Sequence, residues 1–100
     1  MQLKNKDVNI YGLHRSMKLV MKVVEEVYLS YGFESVITSA MDGDHSPGSE
    51  HYFGRALDYR TRMLTTYEDR VAVSKKIQAK LGNNYFVLLE KTHIHIQYNG

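Results

Sequence analysis

The chain has no cysteine, no tryptophan and a single proline. Without cysteine there is no disulfide framework and no thiolate metal site, so a tightly held transition metal must be bound by histidine and carboxylate side chains. Long hydrophobic runs are missing as well. No segment approaches the roughly 20 apolar residues that a membrane-spanning helix needs, and the first 30 residues lack the uninterrupted apolar core of a signal peptide. The expectation is a chain made in the cytoplasm with no membrane partner, which another agent must release if it acts elsewhere. Charge of one sign is also scarce: 13 Lys and Arg against 11 Asp and Glu leave a formal +2, with a pI near 8.8. The lysines are scattered rather than striped, so no nucleic-acid partner is expected.

What is present suits one small domain. One hundred residues, 43% of them hydrophobic, bury a modest core and leave no room for a second; a monomer spanning 1–100 is expected. Residues 8–11 read as a short strand or an extended arm. Apolar residues at Leu13, Met17, Val20, Val24, Val27, Tyr28 and Tyr31 have the three-and-four spacing of an amphipathic helix, which Gly32 stops. SVITSA (35–40) reads as a strand, and 41–50, with two glycines and the proline, as a loop. RALDYRT (55–61) alternates as a strand. Thr65 with Glu68 resembles a capping box opening a helix to about Leu81, with Val71, Ile77 and Leu81 inward and Gly82 as its C-cap. NYFVLLE (84–90) and HIHIQY (93–98) form two strands joined across Lys91 and Thr92. The class is α+β: two main helices packed on a mostly antiparallel sheet.

The chemistry-bearing residues fall on these strands. His93 and His95, two apart on a strand, leave the same face, and Ile94 and Ile96 point the other way. Taken alone, that pair reads more readily as surface polarity. It gains meaning beside HYFGRALDYR (51–60), where a strand that should bury apolar side chains carries Asp58, and His51 precedes Gly54. A glycine there lets the chain turn sharply or approach another backbone, folding His51 toward Asp58. Two histidine nitrogens and one carboxylate, from His51, Asp58 and His95, are the three-ligand set of a catalytic zinc site with its fourth position open to water. Such a metal brings the water's pKa near 7 and polarises a carbonyl.

SEHYFGRALD (49–58) fits S-x-H-x-x-G-x-A-x-D. Together with HIH (93–95) it resembles the zinc D-Ala-D-Ala peptidases and the related hedgehog-type signalling domains, over roughly positions 35 to 98. It is similar to hedgehog domains in HY-x-GRA-x-D and in KTHIH. The resemblance implies a hedgehog/DD-peptidase-like fold, Zn2+ as cofactor and a peptidase acting on peptidoglycan peptides. His51, Asp58 and His95 would bind the metal; His93 would steady the tetrahedral intermediate or shuttle a proton; His45 would stand at the pocket. Glu90 would be the general base, and Ser49 would order the loop. Against His95 as ligand stands the register in which His93 binds the metal with Glu90 three residues before it; Glu50 is a further candidate base. The slight positive charge suits an anionic wall polymer.

Two departures qualify that reading. Glu90 precedes His95 by five residues, so a continuous strand would turn it to the opposite face, and its role requires a turn or bulge at Lys91–Thr92. Family carboxypeptidases grip a terminal carboxylate with an arginine in a TSGYR-like stretch, whereas here the stretch is TSAMD, with Asp42 at that place. That favours an endopeptidase, of the kind a phage or prophage uses for lysis, unless Arg55 or Arg60 substitutes. A zinc-bearing, hedgehog-like binding module without turnover is the alternative. Asp42 and Asp44 read as turn chemistry rather than a calcium site, and His14 reads as a solvated helix residue.

Overall fold

The computed structural model describes residues 1–41 and 54–100; His45, Ser49, Glu50 and His51, with Asp42 and Asp44, lie outside them. The protein is α+β. Among the described residues seven elements follow in the order β1 (Gln2–Leu3), α1 (Ser16–Ser30), β2 (Val36–Ser39), β3 (Ala56–Arg60), α2 (Tyr67–Leu81), β4 (Tyr85–Leu89) and β5 (His93–Tyr98). The strands form one sheet in the order β1-β2-β3-β5-β4. β1 runs parallel to β2, and every other pairing is antiparallel.

One face of the sheet is apolar and carries both helices. Ile37, Leu57, Tyr59, Ile94 and Ile96 are fully buried there, against Met17, Val20, Val24 and Val27 of α1 and Val73, Ile77 and Leu81 of α2. The buried face of α1 carries Val20, Val23, Val24 and Val27, β-branched residues that are mediocre helix formers, costing under about 0.7 kcal/mol each against alanine. Burying each valine returns about 1.5 kcal/mol or more, so packing decides the conformation. Tyr28 fixes this helix over the sheet: its hydroxyl donates to the Arg60 carbonyl at 2.7 Å.

The structure moves several expected boundaries. Residues 8–11 form no strand but an arm, with Val8 buried and the Asn9 carbonyl accepting from Met41 N at 2.8 Å. The first helix begins at Ser16 rather than Leu13; ahead of it the His14 amide donates to the Gly54 carbonyl at 2.8 Å. The cap of α2 is Thr66, not Thr65: its Oγ1 accepts from Asp69 N at 3.1 Å, satisfying one of the helix's orphan donors. The inward stripe of α2 accordingly runs Val73, Ile77, Leu81, and Val71 is only partly covered.

Candidate metal and catalytic site

Period-two alternation turns the other side chains of β3 and β5 to the face away from the helices. The register sets Asp58 directly opposite His95, Arg60 opposite His93 and Ala56 opposite Gln97. Asp58 Oδ1 and His95 Nδ1 stand 2.9 Å apart, with both side chains mostly covered, at 14% and 17% exposed. His93 lies one pair along, its Nε2 3.9 Å from Asp58 Oδ2 and 3.7 Å from Glu90 Oε2. Four titratable side chains thus form one cluster, with the Asp58–His95 contact at its centre.

Glu90 reaches this cluster through the turn that its role required. β4 ends at Leu89, and the Glu90 amide donates to the His93 carbonyl at 2.8 Å, closing the hairpin over Lys91 and Thr92. The carboxylate meets His93 rather than the Asp58–His95 contact, and at 44% exposed it is the most open of the four. The sheet is irregular on the opposite side of Asp58. Between Ile37↔Tyr59 and Ser39↔Asp58 the pairing of β2 with β3 slips, and Thr38 Oγ1 donates to the Asp58 carbonyl at 3.3 Å. Such irregularities re-aim side chains beside functional sites.

His95 is held by two acceptors. Its Nδ1 faces the Asp58 carboxylate, and its Nε2 is 2.7 Å from Gln97 Oε1. The Gln97 amide nitrogen donates to Asn99 Oδ1 at 2.9 Å, which leaves the Gln97 oxygen toward the ring. Only the imidazolium carries a proton on both nitrogens. In agreement, the hydrogen bond to Asp58 raises the His95 pKa above its ordinary value, with Gln97 and the charge of Glu90 adding to it against the desolvation that lowers it.

Gly54 links the site to the start of α1. Its φ is +72°, and a Cβ there would stand 2.9 Å from the Gly12 carbonyl oxygen and 2.9 Å from Met41 Sδ. Both reasons for a glycine, the left-handed backbone and the close approach of another strand of chain, therefore apply at this position. His14, expected in solvent, is partly buried. Its Nδ1 accepts from Ser16 N at 3.2 Å, and its ring stacks on Tyr98 at 5.8 Å between centroids. It serves the entry to α1.

Of the three expected metal ligands, Asp58 and His95 are in contact, and His51 lies outside the described residues, as does His45. Among the described residues no group of three or more His, Asp or Glu side chains is arranged to hold a metal ion. The donor set, imidazole with carboxylate and no thiolate, is nonetheless one that zinc accepts. Sequence reasoning missed a group of basic side chains next to His93, from Arg60, Arg62, Arg70, Lys4 and Lys91. Only the Arg60-x-Arg62 spacing hinted at it. It also missed Leu88, which pairs with His95 across the hairpin.

No helix among the described residues is long and apolar enough to cross a membrane. No family model matches the chain, and no curated protein or solved structure matches it.

Proposed function

We propose that the protein is a zinc-dependent peptidase that hydrolyses an amide bond in peptidoglycan peptides, acting within a chain rather than on a free C-terminus. The observation that carries this reading is the direct opposition of Asp58 and His95 at 2.9 Å, with His93 and Glu90 within 4 Å of the same cluster. Asp58 and His95, joined by His51, would hold the metal, which when bound supplies a Lewis acid for the scissile carbonyl and activates water.

The remaining steps belong to the chain's own side chains. His95 must give up a proton to become a ligand, and Asp58 accepts the hydrogen bond that orients its ring until then. Glu90, carboxylate to imidazole with His93 at 3.7 Å, takes the proton from the attacking water. His93 then carries it toward the leaving amine, and its position between Glu90 and Asp58 supports that relay. The exposure of Glu90 favours a second reading, a zinc-bearing binding module without turnover, since bulk water then reaches the carboxylate that must position the attacking water.

A digest of purified peptidoglycan with the zinc-loaded protein, read by mass spectrometry beside a chelated control, decides between them. New peptide ends that vanish on chelation are expected. Intact muropeptides from several wall types, with one zinc still bound per chain, would leave the binding module.

A further inference from the structure

A cleft of about 490 Å³ opens at one end of the sheet and reaches His93. Lys4, just past β1, Arg60 at the end of β3, Arg62 in the following turn, Arg70 on α2 and Lys91 in the hairpin line it. Several of these residues are fixed in place. Lys4 N donates to the Ile37 carbonyl at 2.8 Å, Arg70 Nε donates to the Leu64 carbonyl at 2.7 Å, and Arg60 is registered against His93. Among the described residues no aspartate or glutamate lines the cleft. Among the described residues none of the five cations is in an ion pair. Behind His93, which borders the cleft, stand Glu90 at 3.7 Å and Asp58 at 3.9 Å, and Glu90 lines a neighbouring cleft with Arg70 and Lys91. Thr61, fully buried, also borders the first cleft, and its Oγ1 has no hydrogen-bond partner among the described residues.

A chain with a net charge of +2 has little excess cation to place. Gathering five basic side chains in one cleft is unfavourable through mutual repulsion unless an anion shares the space, and a concave surface of one sign concentrates such an anion. The guanidinium groups match carboxylate oxygens in pairs. The volume falls within the range of sites for small ligands. Among the described residues no phenylalanine or tyrosine lines the cleft, whereas a single-stranded nucleic acid uses a platform of such rings for stacking.

We propose that this cleft binds the carboxylates of an acidic peptide segment and so anchors the substrate beside His93. The anchoring role rests on the peptidase reading above, but the binding does not. Peptides of the wall carrying free carboxylates are then preferred over amidated ones.

Two arms test it separately. In the first, N-acetyl-D-glutamate, a dianion with no bond of the substrate type, is titrated into the full chain as purified, and its bis-amide serves as control. Nitrogen-edited NMR should show saturable shifts at the Arg60, Arg62 and Arg70 Nε–H groups and around His93 with the dianion alone. Arg60→Gln should weaken that binding about tenfold, the loss of one charge-assisted pair. Arg62→Gln, at an exposed turn position where the fold does not depend on it, should weaken it in the same direction. Equal shifts with the bis-amide, or no change in either variant, would overturn the cleft. So would an oligonucleotide that binds these residues more tightly than the dianion in the same buffer. In the second arm, the zinc-loaded protein is given muropeptides with D-glutamate or with its α-amide, and the former should be cut faster. Dianion binding without cleavage of either leaves the cleft standing and removes the peptidase reading. Cleavage indifferent to both amidation and Arg60→Gln removes the anchoring role.

Discussion

Two tyrosines beneath the site make opposite predictions. Tyr28 and Tyr59 lie side by side in the core, ring centroids 6.3 Å apart, both fully buried. The Tyr28 hydroxyl donates to the Arg60 carbonyl at 2.7 Å, whereas the Tyr59 hydroxyl has no hydrogen-bond partner among the described residues. Burial raises the pKa of both phenols, so each stays neutral and only the hydrogen bond distinguishes them. An uncompensated buried hydroxyl costs about 1–3 kcal/mol. Tyr59→Phe removes that cost while keeping the ring, and should stabilise the protein by about 1 kcal/mol. Tyr28→Phe loses a bond and deprives the Arg60 carbonyl of its donor, and should destabilise it by about 1–2 kcal/mol. For a domain of this size 1 kcal/mol moves Tm by about 4–8 °C, so the two variants should melt on either side of the parent. Urea unfolding of the metal-free protein, with an unchanged m-value in each case, is the assay. A Tyr59→Phe variant less stable than the parent would refute the reasoning, because its hydroxyl would then have to be making a bond.

At the site itself, His95→Ala should lose most of the bound zinc, whereas His93→Ala should keep it and lose hydrolysis; metal content and peptide products from both variants check this, and the reverse pattern makes His93 the ligand. In metal-free protein His95 should titrate above its ordinary value, and Asp58→Asn should bring it down, both followed by NMR of the ring protons. Because the folded-state pKa is the higher one, the Asp58–His95 pair contributes its stability fully below the unfolded value near 6.5 and loses it as pH rises through the raised folded value. Gly54→Ala should destabilise by about 2 kcal/mol, since it adds the strain of a left-handed backbone to contact with the Gly12 carbonyl; unchanged urea unfolding would mean that this crossing is looser than described.

What the sequence could and could not disclose follows from the range of each interaction. The face shared by His93 and His95 was legible because it depends on nothing beyond the two-residue period of a strand and the apolar Ile94 and Ile96 between them. The turn that brings Glu90 to His93 was legible as a requirement, since no continuous strand satisfies it. Local signals failed where they were degenerate. Thr65 precedes Glu68 by three residues and Thr66 precedes Asp69 by three, so both offer a cap and only packing of the Val73, Ile77, Leu81 stripe selects the second. They also failed where a group's partner is distant. β1 is two residues long and exists because Gln2 and Leu3 pair with Val36 and Ile37; its sequence carries no period at all. His14 reads as solvated until Gly54 and Tyr98 arrive from elsewhere in the chain to use its amide and its ring. The basic cleft is the extreme case. Its cations come from just past β1, from β3 and α2, and from two turns, and the sheet order that sets β1 two places from β3 helps to collect them. Scattered in sequence, they carry no stripe or run for a charge-pattern reading to find, and so the cleft emerges only with the fold.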